Sequence, residues 1–521
     1  MFITLSFITT LWNIIIFLVV LGVVICIHEL GHFFFAKRAG ILCHEFSFGM
    51  GPRLWSKKFG ETVFSIRAIP FGGYVSMAGE EIEADIIKIG QKIRLGFDGN
   101  NEVNRIILNS SDTNYNDFIE VKVEEYDLSS EEGTRLYING YTVKRDAMYV
   151  TKKGHLQIAP KDRSFTYKTR WQRFITTFGG PLMNFILAFF VYLIIAFAIG
   201  VPNGASPEIG EVDMNMPAGE HFQAGDIILS INDVNITSWD GETNSISSEL
   251  NKMADFYVVD FERDGITYED IVVYPQYYFY TLGFVLDPDA SDPGLILLSP
   301  LYVNSELQSG DRIISIDGIP MNTISDLIDF SNDNIEGSTE ENPTNIEIER
   351  DGEILDFDFI AYGEDVLSAM GYESYYSKVG ITSTMKFSFF GSFGSAWSSF
   401  SHAGSTIFRT IGLMFTSNQV GVGDLSGFVG IFSMTSQAAA NGIISLLAWV
   451  GLLSVNLGIV NLLPIPALDG GRIVFIGYEA ITKRRPNQKV ENLLHTVMFF
   501  LLMALLVFIT YNDILRLFGL K

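Results

Sequence analysis

Four stretches of this chain stay apolar long enough to cross a bilayer, and they fix most of what it can fold into. A helical span needs about 20 mainly apolar residues. The stretches cover roughly residues 7–35, 174–201, 441–463 and 493–515. No water reaches the bilayer core to satisfy a loose backbone, so each stretch reads as a transmembrane helix. Composition agrees, with 48% of the 521 residues hydrophobic and only 18% charged, against about a quarter charged in average soluble domains. The first ten residues carry no positive charge and the first run is too long for a signal-peptide core, so it reads as a retained anchor.

Lys and Arg beside spans collect on the cytoplasmic side. Lys37, Arg38, Arg53, Lys57 and Lys58 follow the first span, and Lys168, Arg170 and Arg173 precede the second. Arg472, Lys483, Arg484, Arg485 and Lys489 separate the third from the fourth. All three groups share one face if four spans are threaded with both termini outside; Arg516 and Lys521 are minor exceptions. The net charge of −25 then falls mostly outside, where residues 202–385 hold only Lys252, Arg263, Arg312, Arg350 and Lys378 as cations. Such acidity argues against a nucleic-acid partner and fits a solvated outer surface in contact with a lipid bilayer below it.

Between the first two spans, Thr62-Val63-Phe64-Ser65-Ile66-Arg67-Ala68-Ile69 reads as a strand bounded by Gly60 and Pro70, with Phe71-Gly72-Gly73-Tyr74-Val75 turning into a second. Residues 80–165 read as a soluble β-rich insert without recognisable chemistry. Cys26 and Cys43 are the only cysteines, so neither a disulfide framework nor a Cys-rich metal site is expected. Outside, the segment from Ala224-Gly225-Asp226-Ile227-Ile228 to Ile231-Asn232-Asp233-Val234 matches Ser309-Gly310-Asp311-Arg312-Ile313 to Ile316-Asp317-Gly318-Ile319, an offset of 85 residues. Each copy reads as strand, tight turn, strand. The repeats resemble PDZ domains, which bind extended peptides by strand addition; two ligand-free β domains read equally well, because neither copy shows a clear Gly-Leu-Gly-Phe loop.

The chemistry is concentrated in His28-Glu29-Leu30-Gly31-His32 at the end of the first span. A helix puts His28 and His32, at i and i+4, on one face where they can share a zinc ion, and Glu29 beside them can act as general base. Only 7 histidines occur in the chain, so a chance match is on the order of one per cent. Two interfacial histidines near a helix end are the bland alternative, and the cost of ionisable groups in a span disfavours it. Catalytic zinc needs a third protein ligand. Asp469, in Asn461-Leu462-Leu463-Pro464-Ile465-Pro466-Ala467-Leu468-Asp469-Gly470-Gly471, reaches the same depth and side by the threading above. Pro464 and Pro466 break the helix where freed backbone must line a cavity or be buried in protein. Asn461 could hydrogen-bond a substrate backbone or pack between helices.

Together these motifs resemble the site-2 protease family of intramembrane zinc metalloproteases, in particular the bacterial branch that regulates sigma factors. Phe48-Gly49-Met50-Gly51-Pro52 and Phe71-Gly72-Gly73-Tyr74-Val75 resemble that branch's cytoplasmic loop and hairpin, and Gly179-Gly180-Pro181-Leu182-Met183-Asn184 the start of its second span. The resemblance implies zinc held by His28, His32 and Asp469, with Glu29 as catalytic acid/base. It implies that a substrate strand pairs near Gly72, Gly73, Tyr74 and Val75. The substrates implied are single-pass membrane proteins, such as anti-sigma factors or signal-peptide remnants, cut after an earlier extracytoplasmic cleavage in a stress response. Phe428, in Leu425-Ser426-Gly427-Phe428-Val429, stands where the family pattern has proline, and the 80–165 insert is larger than in shorter relatives.

The expected architecture is therefore a polytopic α-helical membrane protein with four transmembrane helices. Residues 1–36 carry the HExxH helix, 37–79 a membrane-associated hairpin, 80–165 the cytoplasmic insert and 172–201 the second span. Two extracytoplasmic PDZ-like α+β domains, 202–280 and 281–385, precede an amphipathic region at 386–440. The third span with the Asp469 motif covers 441–470, a cytoplasmic loop 471–492 and the fourth span 493–516. The location implied is a bacterial plasma membrane, with the site near the cytoplasmic side. A non-catalytic membrane scaffold that binds peptides is the alternative, but it has no use for Glu29. A zinc transporter would need ligands strung along several spans.

Overall fold

A computed structural model describes the chain except residues 1, 81–86, 110–114, 116, 131–133, 152–153, 287–294, 302–305, 335, 340, 371, 417–424 and 518–521. Its helices are α1 (Phe2–Arg38), α2 (Arg170–Ile199), α3 (Ile246–Leu250), α4 (Ile324–Asp333) and α5 (Glu364–Met370). They continue with α6 (Phe389–Thr416), α7 (Phe428–Ala440), α8 (Ile443–Leu462), α9 (Asp469–Thr482) and α10 (Gln488–Leu517). Among the described residues four are long and apolar enough to cross a membrane: Thr9–Arg38, Arg170–Ile199, Ile443–Leu462 and Lys489–Leu515. These are the four stretches read from the sequence. Residue contacts divide the chain into two units, residues 1–191 with 430–506 and residues 192–429 with 507–521.

In the first unit, α1 and α2 cross so closely that small residues are obligatory. A Cβ on Gly31 would lie 2.1 Å from Gly179 O, and one on Gly179 would lie 2.5 Å from the Phe35 ring. Small residues at a helix crossing are the usual way for spans to pack when lipid and side chain are equally apolar. Ser454 of α8 donates to the Asn184 carbonyl of α2 at 2.8 Å, and the Phe185 ring fills the space over Gly458. Hence α8 is fixed to α2 at mid-helix.

Beside α1 lies a sheet made from two long strands, β1 (Cys43–Phe59) and β2 (Thr62–Met77). The sequence suggested a break at Pro70; instead β2 continues through it. The glycines allow the bending: Gly49 and Gly51 on β1 and Gly72 on β2 have φ of 84, 82 and 91°, a region closed to most side chains. The strands fold back, so residues 45–48 pair with 63–66 on one side and 73–76 on the other. Residues 73–76 therefore form an outer edge. The carboxylate of Glu45 lies inside this sheet, bound by Arg53 at 2.6 Å, Arg67 at 2.8 Å and Ser65 at 2.5 Å. The insert follows as a seven-stranded sheet around a core that includes Ile93, Leu95, Ile106, Leu136 and Ile138.

The second unit holds the repeat as two matching four-stranded sheets, one over residues 227–273 and one over 312–359. In each, a buried aspartate is clasped by an arginine from the third strand. Arg263 reaches Asp226 at 2.7 and 2.8 Å, and Arg350 reaches Asp311 at 2.6 and 2.7 Å. The tight turns place Asn232 and Asp233, or Asp317 and Gly318, at positive φ, as the hairpin reading required. The linear division at 280/281 does not follow the strands, however. Gln276–Phe279 pairs with Phe284–Leu286 in a further four-stranded sheet that also holds Leu297–Pro300 and Tyr375–Lys378, and Ile381–Ser383 returns to pair with Ile209–Val212, just ahead of the first repeat's sheet. The first repeat borrows its last strand from beyond the second, a non-local pairing that sequence pattern does not reveal.

Candidate metal centre

Three side chains, two from the apolar helix α1 and one from the start of α9, meet in the first unit. His28 and His32 stand one turn apart on α1, both buried. Asp469 opens α9, at an N-terminus whose free N–H groups favour a carboxylate. Its Oδ2 lies 3.2 Å from His28 Nε2 and 3.3 Å from His32 Nε2, and the two Nε2 atoms lie 3.2 Å apart. Among the described residues these three are the group able to hold a metal ion.

The arrangement passes a simple test of fit. Ligands at about 2.0–2.1 Å around a tetrahedral zinc stand roughly 3.3–3.4 Å from one another, which is the spacing of these three atoms. Asp469 Oδ2 is also buried with no hydrogen-bond partner, an expensive state for a carboxylate oxygen unless a cation faces it. Partners behind the imidazoles orient them. His32 Nδ1 donates to the Thr176 carbonyl at 2.9 Å, which leaves the Nε2 lone pair free. Asn184 sits 3.3 Å from His28 Nδ1, and its own Oδ1 lacks a partner. Turning that amide over lets Oδ1 accept from Nδ1–H, the tautomer a ligating Nε2 needs. Gly180 closes the space beside the pair, since a Cβ there would lie 2.4 Å from His32 Nε2 and 2.8 Å from His28 Cε1.

The approach of Asp469 depends on an irregular turn. α8 ends at Leu462, and Leu463 through Leu468 run non-helically past Pro464 and Pro466. Ala467 takes φ 85°. The glycines after the aspartate are needed for contact: a Cβ on Gly470 would meet Leu463 O at 2.2 Å, and one on Gly471 would meet Ile465 O at 2.5 Å. Next on the helix, Arg472 pairs with Glu80, just past the end of β2, while Glu479 binds Arg173 of α2 at 2.6 Å.

The remaining residues singled out in the sequence are placed as follows. Glu29 is half-buried next to His28. The hairpin passes over it at Gly73, where a Cβ would lie 3.2 Å from Glu29 Cγ and 2.9 Å from Ser47 O. The Tyr74 hydroxyl accepts from Arg67 at 2.6 Å, and Val75 is buried with Phe46 and Met77; both side chains brace the sheet. Asn461 donates to Leu457 O of its own helix at 3.0 Å. Pro464 is exposed and Pro466 half-buried. Thr176 and His495 were not picked out in the sequence, and Gly180 entered only as part of the motif at the start of the second span. Asn184 was quoted within a motif but given no role, although a polar residue deep in an apolar span is itself a signal.

A buried two-histidine, one-carboxylate site shared between apolar helices defines the chain as a candidate metalloprotease of the membrane. Comparison with known proteins gives the family. The model of peptidase family M50 matches residues 16–505. The chain is 31% identical over 516 residues to the zinc metalloprotease RasP of Bacillus licheniformis, covering 97% of this chain and 99% of the relative. It is 32% identical over 519 residues to the protein of that name in Oceanobacillus iheyensis, covering 97% and 99%. The RasP of Geobacillus kaustophilus is 32% identical over 518 residues, covering 98% and 99%. The chain belongs to peptidase family M50, the site-2 proteases, and is a zinc metalloprotease.

Proposed function

We propose that this protease cuts single-pass membrane proteins within their spanning segments, at zinc held by His28, His32 and Asp469. The observation that carries the reading is the convergence of those three ligand atoms, at 3.2–3.3 Å, from α1 and the turn after α8. Bound zinc supplies Lewis acidity that lowers the pKa of a water and polarises a carbonyl. Glu29 takes the proton of the attacking water and returns it to the departing amide nitrogen. The outer edge at residues 73–76, with Gly73 over Glu29, suits a substrate that unwinds and adds as a strand. Unwinding also exposes the peptide bond, which a helix would keep hydrogen-bonded.

The repeats at 209–383 are PDZ-like in this reading, and the second has a Leu282-Gly283-Phe284 turn that the sequence reading passed over. Both edges of Phe284–Leu286 are taken, by Gln276–Phe279 and Leu297–Pro300. That pairing favours a screen against bulky substrates over peptide capture by the second repeat. With the repeats outside and the metal near the cytoplasmic face of a bacterial plasma membrane, substrates are proteins already trimmed outside, such as anti-sigma factors or signal-peptide remnants.

The test is cleavage of a purified single-span protein in lipid vesicles, with and without a folded outer domain. The cut is expected inside the apolar segment, about tenfold or more faster for the trimmed substrate, and absent with Glu29→Gln. A cut mapped to the soluble part, or equal cleavage by Glu29→Gln, would overturn the reading.

A further inference from the structure

We infer that His495 of α10 is a positioning residue for the metal centre, holding the turn that delivers Asp469. The inference rests on the assignment of Asp469 as a ligand. The segment between α8 and α9 has two prolines and a non-glycine residue, Ala467, in the left-handed region at φ 85°, a conformation that persists only where surroundings impose it. The Ala467 N–H points outward from the turn and donates to His495 Nδ1 at 2.8 Å. Neighbouring amides are satisfied within the segment, Ile465 N–H by Leu463 O at 2.7 Å and Leu468 N–H by Ile465 O at 3.1 Å. The left-handed residue alone among these three takes its acceptor from another helix.

His495 is itself held in place. Its half-buried ring packs 5.8 Å from the Phe475 ring of α9, so the imidazole is clamped between the helix that Asp469 begins and the turn that precedes it. Because Nδ1 accepts, the ring is neutral with its proton on Nε2. An unsatisfied amide at this depth would pull the turn toward another partner, and Ala467 lies only two residues before Asp469. A shift of a few tenths of an ångström there moves Oδ2 relative to both imidazoles. Thus α10, which supplies no ligand, is coupled through one hydrogen bond to the geometry of the metal.

Zinc affinity of the full-length protein, measured by chelator competition, tests this. His495→Leu removes the acceptor and keeps the volume, whereas Asn presents Oδ1 close to where Nδ1 stood. His495→Leu is expected to lower zinc affinity roughly tenfold, the usual loss for a residue behind a ligand, and to lower kcat with KM within about twofold. His495→Asn should stay within about threefold of wild type. Wild-type affinity in His495→Leu, or equal loss in both variants, overturns the proposal. The His495 nitrogen NMR shifts of unaltered protein give an independent readout: Nε2–H with bare Nδ1 supports it, and a protonated Nδ1 overturns it. Asp469→Asn run alongside separates the two levels. If that variant keeps zinc as wild type does, the ligand assignment fails; if it loses zinc while His495→Leu does not, only the role of His495 fails.

Discussion

At the scale of single residues, the centre is built as much from absences as from ligands. Gly180 leaves His28 and His32 room, and no other residue fits without displacing a ring. Gly180→Ala is accordingly expected to reduce zinc affinity roughly 10–100-fold, as disturbed support behind ligands does. Gly477→Ala on α9, whose added Cβ meets nothing within 4 Å, should leave zinc affinity unchanged. Chelator competition on both variants checks the pair; equal affinities would show that the rings have slack. His28, Glu29 and His32 stand out in the sequence because they lie within five residues and helix geometry puts the two histidines on one face. Their supports were not, because Thr176 acts through its carbonyl and Gly180 through having no side chain. Neither leaves a residue-type signal.

Elements bring the next set of constraints. The folded sheet of β1 and β2 depends on Glu45, a buried carboxylate. Burial alone would raise its pKa, but hydrogen bonds from Arg53, Ser65 and Arg67 and the charge of Arg53 bring it down to about 2. A carboxyl depressed from 4.5 in this way stabilises the fold fully above the unfolded value, and that contribution is lost as pH falls toward the folded one. Glu45→Gln should therefore cost about 1–3 kcal/mol at neutral pH by removing the charge that faces Arg53 and Arg67. The gap in melting temperature between variant and wild type should hold from pH 7 to about pH 5 and narrow below that. A gap that persists undiminished at pH 3 would show that Glu45 acts by packing rather than charge. Strand alternation around Phe64 and Ile66 was readable in the sequence, yet the continuation through Pro70 was not. Pro70 removes one donor, and β2 is tied to β1 on either side of it at Ile69 and Gly73.

On the scale of the whole molecule, hydropathy located all four long apolar helices to within a few residues, because the length a bilayer crossing needs is fixed. The repeat was likewise visible, since Asp226 and Asp311 recur with their turns 85 residues apart. Its boundaries were hidden: Ile381–Ser383 completes a sheet begun at Ile209, and no local pattern marks a pairing across about 170 residues. The same limit applied to the candidate metal group, where 441 positions of sequence separate His28 from Asp469 and only threading the apolar stretches suggested that they meet.

The central claim is a single zinc shared between α1 and the turn before α9, with Glu29 acting on substrate rather than on metal. Zinc stoichiometry and cleavage of a trimmed single-span substrate, measured together on wild type, Glu29→Gln and Asp469→Asn, test it most directly. About one zinc with cleavage is expected for wild type, about one zinc with bound but uncut substrate for Glu29→Gln, and weakened zinc retention without cleavage for Asp469→Asn. Full zinc and cleavage in Asp469→Asn, or cleavage by Glu29→Gln, would contradict the account.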